Sequence, residues 1–450
     1  MGKSFIKEIR KVYGDVIWVS DVEGSIPICP ILQGNIPSLD LAPSIPLILY
    51  QDLHKGIFLS YLSMISRRGD FFSELNNIID EFALTLKYFY GLLLSSKISI
   101  VLFANVPHEG PDYVLYHLCV KLGIRTVICY QSIFENRFFM VRDMDDFSFF
   151  MKRSHGFGAS VSLTPGSMPN LFYMNDALKN QSHLIARFTS YSLLPYKLVK
   201  SIAGLSGKKN KIASISKKIA SISKKIIEVD AILNYKKNES SSYLKKAQLY
   251  NILSSDKNIV YFPLHLQPEL TTDALGGFFR DQINALEALR SIIPSDWVII
   301  IKENPKQGHQ NRGELFFRRL RNIDNSFLVS RVEDSKALID RAILTATITG
   351  TAGWEAILLG KVSIVFGAAW YSESPNCIRY DESLTLDKLI SIINNPRPFS
   401  EVISYFSALQ SSMGLGIVDP DYSNEVYGYT NELNATNLSR SIIHFINSTG

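Results

Sequence analysis

The chain has 450 residues, 46% of them hydrophobic, and a formal net charge of +5, enough apolar material for two cores, so two domains are expected rather than one. Its four cysteines, Cys29, Cys119, Cys129 and Cys377, lack CxxC spacing and lie mostly in apolar surroundings, which reads as reduced core thiols and excludes a disulfide frame. No apolar run approaches the ~18 residues that span a bilayer, and Glu8 and Arg10 interrupt the N-terminus where a secretory signal needs its apolar stretch, so a cytoplasmic protein, peripheral at a membrane at most, is expected.

Residues 1–195 alternate strand and helix signals. Val16 to Val19, Ile98 to Phe103 and Thr126 to Cys129 read as short buried strands, with helical periodicity in Phe71 to Leu94 and Tyr113 to Leu122 between them. This alternation predicts a parallel sheet with crossover helices, a Rossmann-like N-terminal domain on the acceptor side. The second strand runs into Asn105-Val106-Pro107-His108-Glu109-Gly110-Pro111-Asp112, a loop at the carboxyl end of a strand, where open α/β sheets bind ligands. His108 and Glu109 are therefore candidate acid, base or substrate contacts, and Asp112 reads as the N-cap of the next helix. Asp143-Met144-Asp145-Asp146 resembles a metal-binding acidic run, but no clear strand leads into it; it reads as a solvated loop, and no metal site is expected.

Residues 196–250 form a basic helical linker or insertion. Between residues 177 and 227 there are eleven Lys or Arg and no Asp or Glu, and Lys211-Ile-Ala-Ser-Ile-Ser-Lys217 repeats identically as Lys218 to Lys224. Ile212, Ile215, Ile219, Ile222, Ile226, Val229 and Leu233 keep 3,4 spacing, which makes one apolar stripe flanked by lysines. A helix packed on its own domain, a helix lying on an anionic membrane surface through residues 208–233, and an oligomer seam all fit that pattern. Nucleic acid does not, since no aromatic stacking pattern accompanies the charge.

Residues 251–400 read as a nucleotide-binding α/β domain, followed by a helical segment, 401–450, packing back on the domains. Asn258 to Glu269 is a buried strand running into a Pro-punctuated loop that carries His265, Gln267 and Glu269; Thr271, Thr272, Asp273, Gly276 and Gly277 follow, then a helix from Phe278 to about Ser291. Strand Trp297 to Ile301 ends in Lys302-Glu303-Asn304-Pro305. A further strand ends in Thr347-Ile348-Thr349-Gly350-Thr351-Ala352-Gly353-Trp354-Glu355-Ala356, before Gly360-Lys361 and the apolar run Val362 to Phe366. This turn is a candidate anion site: Gly350 and Gly353 allow close approach to the backbone, Thr349 and Thr351 add hydroxyls, and the helix amides point outward. Glu355, expected in the first helical turn, can accept hydrogen bonds from ribose. In a parallel sheet these three strand ends converge on one edge, bringing together a lysine, hydroxyls, amides and carboxylates.

The order strand-Gln-Pro-Glu-x-Thr-Thr, then Lys-x-x-Pro, then Thr-Gly-Thr-Ala-Gly-Trp-Glu-Ala-(x)3-Gly-Lys-(x)5-Gly-(x)2-Trp-Tyr, resembles the bacterial capsule polysaccharide biosynthesis proteins. It is most similar to the retaining Kdo transferases, which use CMP-activated ulosonic acids on a GT-B-like pair of Rossmann domains facing a cleft. The resemblance covers about residues 255 to 375. It implies that Thr349, Thr351 and Lys302 hold the CMP phosphate and Glu355 the ribose, with Gln267, Glu303, Gly350, Ala352, Gly353 and Trp354 around the donor. Glu269 is the acid nearest the family's catalytic aspartate, and Asp273 is its rival; His265 or His108 would move protons. Asn304 stands where the family usually has His. The implied activity is transfer of an ulosonic sugar from a CMP donor to a surface glycan or glycolipid, without a metal or other cofactor. A UDP- or GDP-sugar donor on the same fold, or a non-catalytic scaffold for capsule assembly, are the alternatives.

Overall fold

The computed structural model describes residues 3–17, 19, 44–66, 75–150, 230–309, 311–419, 422 and 428–448. The lysine repeat 211–224, and with it residues 208–229 of the basic segment, lies outside the described residues.

The chain is α/β, built on two sheets. The N-terminal half contributes α1 (Lys3–Tyr13), α2 (Leu47–Ile65), α3 (Leu75–Ser95), β1 (Ile100–Phe103), α4 (Pro111–Leu122), β2 (Arg125–Gln131) and β3 (Arg137–Val141). β1 and β2 pair in parallel through α4, the expected crossover, whereas β3 folds back antiparallel on β2. Of the strand expected at Val16 to Val19, Val16 and Ile17 are irregular, Val19 makes only an isolated bridge, and residue 18 lies outside the described residues. Val16 instead packs against the cluster that joins α1 to the end of the chain. Helix α4 starts at Pro111 with Gly110 at the N-cap position, so Asp112 is not the cap; it lies in the first turn.

The C-terminal half runs through α5 (230–242), α6 (Lys246–Leu253), β4 (Ile259–Pro263), α7 (Leu270–Asp273), α8 (Gln282–Ile292), β5 (Val298–Lys302), α9 (Glu314–Arg321), β6 (Ser326–Val329), α10 (Ser335–Arg341), β7 (Leu344–Thr347), α11 (Thr351–Leu358), β8 (Val362–Val365) and β9 (Cys377–Arg379). Its six strands are all parallel, in the order β6-β5-β4-β7-β8-β9. Apolar runs such as Val298 to Ile301, buried throughout, suit strands covered on both faces. Counted from β4, the order is 3-2-1-4-5-6, and the winding reverses between β4 and β7; such a reversal opens a crevice at the carboxyl ends of the two strands. The helix expected from Phe278 begins instead at Gln282, because the Asp281 carboxylate caps it by accepting from the Ile283 amide at 3.1 Å, and Gly277–Arg280 is a 3-10 turn.

After α12 (Leu386–Asn394) and α13 (Phe399–Ser411) the chain returns to the first sheet. Strand β10 (Gly414–Leu415) pairs with β3, and α14 (Asn431–Ser448) buries Leu438, Ile442 and Phe445 against Phe5, Ile6 and Ile9 of α1. One apolar cluster crosses between the halves, from Leu53, Ile57 and Tyr61 of α2 through Leu270 and Leu275 to Trp354, Trp370 and Phe406. Trp354 lies 4.0 Å from Phe406 and 5.3 Å from Trp370, centroid to centroid.

Candidate functional site

At the carboxyl ends of β4 and β7, His265 and the Thr347 to Gly350 turn meet. His265 Nε2 is 2.8 Å from the Thr347 hydroxyl, and the same hydroxyl oxygen accepts from the Gly350 amide at 3.2 Å. Burial first, and the Arg312 charge second, push the His265 pKa down to about 4, so the ring is neutral. The close approach that Gly350 and Gly353 permit is made by the protein itself. A Cβ on Gly350 would stand 2.9 Å from His265 Nε2, and one on Gly353 would stand 2.3 Å from the Tyr371 hydroxyl, which donates to the Gly350 carbonyl. Helix α11 begins at Thr351 with no side chain capping it, so its first amides are offered no side-chain acceptor by the N-cap. Thr349 and Thr351 turn their hydroxyls inward, Thr349 to the Thr271 carbonyl at 3.0 Å and Thr351 to Glu355. Trp354 is buried in the aromatic cluster with Trp370 and Phe406, and Ala352 lies in the helix's first turn.

On the adjoining face of the sheet, Lys302 and Glu355 approach each other. Lys302 Nζ donates to Ser335 at 2.7 Å, and Tyr261 donates to the same hydroxyl at 3.3 Å. Glu355 falls in the second turn of α11 rather than the first, since the helix starts at Thr351. Burial raises the Glu355 pKa, against the Thr351 hydrogen bond and the Lys302 charge; burial lowers that of Lys302, against Asp334, Glu333 and Glu355. For each group, burial works against the charged form and the neighbouring groups work for it, as at sites where a ligand's charge is met.

Behind the loop lies a polar network that the sequence did not reveal, centred on Arg312, fully buried with Glu303. Its guanidinium donates to Glu303 at 2.8 Å, to Gln267 Oε1 at 2.9 Å and to the His265 carbonyl at 3.0 Å. Gln282 closes the circuit, accepting from the His265 amide and donating to Gln267. Gln307 clasps the Gln267 backbone with two bonds of 2.8 Å. Glu303 and Gln267 are thus committed to holding the loop, and a buried, hydrogen-bonded ion pair such as Arg312–Glu303 defines geometry more than it adds stability.

That loop delivers Glu269. Its carboxylate accepts from the Thr271 amide at 3.0 Å and from the Thr271 hydroxyl, and its side chain is partly exposed. Asp273 is 3% exposed, with one oxygen taking the Glu269 amide and the other the Ser63 hydroxyl, both at 2.7 Å. On the N-terminal side, His108 Nε2 lies 3.1 Å from Glu109 and Nδ1 2.6 Å from the Val106 carbonyl, while Asp112 collects the amides of His108 and Glu109. Burial alone would lower the His108 pKa; the Glu109 hydrogen bond, the Asp112 charge and the Val106 carbonyl outweigh it and raise the pKa. Tyr113, at the start of the same helix, lies within electrostatic reach of Arg280 and Asp273, so the His108 loop and the Glu269 loop flank one seam. Asp143 and Asp146 form a capping box on Met144–Ser148, and among the described residues no His, Cys, Asp or Glu cluster could hold a metal ion. No described helix is long and apolar enough to cross a membrane.

No family model matches the chain, and no curated protein matches it significantly. Among solved structures, the KpsC beta Kdo 2,4 transferase of Thermosulfurimonas dismutans aligns at 10% identity over 70% of this chain and 80% of its own, with a TM-score of 0.31. The KpsC beta Kdo 2,7 transferase of the same organism aligns at 13% identity over 47% of this chain, with a TM-score of 0.26; this chain spans 66% of it, just under two thirds. A UDP-GlcNAc 2-epimerase of Methanocaldococcus jannaschii, in complex with UDP-GlcNAc and UDP, aligns at 14% identity over 71% of this chain and 75% of its own, with a TM-score of 0.25. At these TM-scores the likeness decides neither fold nor chemistry, and the α/β fold stands on the sheet order itself.

Proposed function

We propose that this chain transfers an ulosonic sugar, Kdo-like or sialic-type, from a CMP-activated donor to a surface glycan or glycolipid, with retention through Glu269. One juxtaposition supports the reading: α11, whose start no side chain caps, follows a strand end at the switch point of a parallel sheet and carries Glu355 within electrostatic reach of Lys302, and Thr349 ties the Glu269 turn to that same strand end. The phosphate would take the Thr351 and Ala352 amides and Lys302, and Glu355 would accept from ribose. Glu269 bonds to the anomeric carbon as the bond to the CMP phosphate oxygen breaks, and the phosphate leaves with the electron pair, its charge met by Lys302 and the amides. An acceptor hydroxyl then displaces Glu269 and passes its proton to the His108–Glu109 pair on the facing side. His265, buried and neutral, holds the turn and moves no proton. No step calls for a metal, and the lysines of 208–233 would hold the enzyme at an anionic membrane surface.

A thermal-shift panel of CMP, UDP, GDP and ADP tests the donor class, because a ligand at 100 times its Kd adds about 2.7 kcal/mol to the native state. CMP alone should stabilise. A shift with UDP or GDP would move the chain to the other donor class, and no shift would favour a non-catalytic scaffold. With the donor in hand, Glu269→Gln should abolish transfer and leave CMP binding intact; full activity in that variant would remove Glu269 from the nucleophile's role.

A further inference from the structure

The turn that presents Glu269 is held from two directions. From its own half, the Thr349 hydroxyl donates to the Thr271 carbonyl at 3.0 Å. From the other half, α2 reaches it with two serines three residues apart, hence on one helix face. The Ser63 hydroxyl donates to Asp273 Oδ1 at 2.7 Å, and Ser60 accepts from Arg280 Nη1 at 2.6 Å. Tyr113 of α4 adds a bond to the same Ser60 hydroxyl. Asp273 relays this contact, since its second oxygen accepts the Glu269 amide at 2.7 Å and its own amide donates to the Glu269 carbonyl at 2.8 Å. Arg280 relays it too, because its carbonyl accepts from the Gln267 side chain. A helical serine normally returns its hydroxyl to a carbonyl one turn back; Ser63 gives it to a buried carboxylate across the seam instead.

We infer that Ser63 is a positioning residue: through Asp273 it sets the turn that aims Glu269, so the placement of that carboxylate belongs to both halves of the molecule. The catalytic consequence rests on the transferase reading above, but the geometric claim does not. Removing the Ser63 hydroxyl takes away the bond by which α2 holds Asp273, which loosens the turn while Lys302, Glu355 and the start of α11 stay as they are.

Hydrogen exchange on the full chain tests the geometry without any substrate. In Ser63→Ala, the amides of 269–273 should exchange ~10-fold faster than in the wild type while those of β5 are unchanged, and Ser63→Thr should restore the slow rate. If Ser63→Ala folds poorly, Asp273→Ala serves, since it removes both the acceptor for the Glu269 N–H and the acceptor for the Ser63 hydroxyl, and the same segment should exchange faster. Unchanged exchange at 269–273, or failure of Ser63→Thr to restore it, overturns the inference. If CMP-sugar transfer is found, Ser63→Ala should lower kcat ~10-fold with the donor KM unchanged, a loss of ~1.4 kcal/mol of transition-state stabilisation. Absence of any transfer would defeat the functional reading and leave the exchange result to decide this one.

Discussion

His265 shows how one side chain can serve a site without touching a substrate. Its ring fills the space that Gly350 leaves, and its backbone is fixed by Gln282 and Arg312, so it braces the two strands that diverge at the switch point. Its pKa, down to about 4, lies below the ordinary 6.5, so on acidification the unfolded chain takes up this proton before the folded one does. The neutral ring's contribution is therefore fully present above pH 6.5 and is lost as the pH falls toward 4, a span worth roughly 3 kcal/mol. Glu355, raised by burial, acts in the opposite sense, so the informative comparison is with a variant. Denaturant unfolding of His265→Gln should show a shallower fall in stability between pH 6.5 and 4.5 than the wild type; equal slopes would mean that the ring is not held neutral. Gly353 makes a related point, because the Tyr371 hydroxyl, not a ligand, occupies the place its missing side chain leaves.

At the scale of elements, α5 is latched to the rim of the parallel sheet by Arg331, which follows β6. The guanidinium reaches Glu239 at 3.0 Å through Nε, the Tyr235 hydroxyl, and the carbonyls of Pro305 and Gln307 at 3.2 Å. Since Gln307 in turn clasps Gln267, the helix that follows the lysine-rich segment is joined to the Glu269 loop by continuous hydrogen bonds. Replacing Arg331 by Met leaves Glu239 buried without its counter-ion, a change that typically costs about 3–5 kcal/mol. Limited proteolysis should then cut within residues 230–243 while β4 and β5 stay protected; an uncut α5 would show that Leu244 and its neighbours suffice to hold it. Which elements were legible follows the same physics. Strands β4 and β5 announced themselves as apolar runs, and β8 as one broken only by Ser363, whereas Val16, equally apolar, packs on the α1–α14 cluster outside any strand. Apolar spacing reports burial, and pairing is a separate matter. Strand β10, with two residues, has no pattern to read at all.

Across the whole molecule, the apolar cluster that joins α2 and α3 to Trp354, Trp370 and Phe406 ties the halves together, and β10 with α14 closes the N-terminal sheet from the far end of the chain. Truncating Phe406, fully buried and packed on both tryptophans, should cost about 3–5 kcal/mol. Because the cluster is shared, melting of Phe406→Ala followed separately by tryptophan fluorescence and by far-UV circular dichroism should shift as one transition; two separated transitions would show that the halves unfold independently. The sequence by itself determined the parallel C-terminal sheet and the three loops at its edge, since buried strands, glycine turns and helix starts are local signals. It also held Lys302, Glu269 and Glu355 as candidates. Only the tertiary structure decided that Arg312 underlies the loop, that Gly353 makes room for Tyr371, that Gln267 and Glu303 are committed to holding the chain, and that Ser63 reaches Asp273 from 210 residues away. Those are contacts between segments far apart in the chain, and no local periodicity encodes which distant side chain will fill a given space.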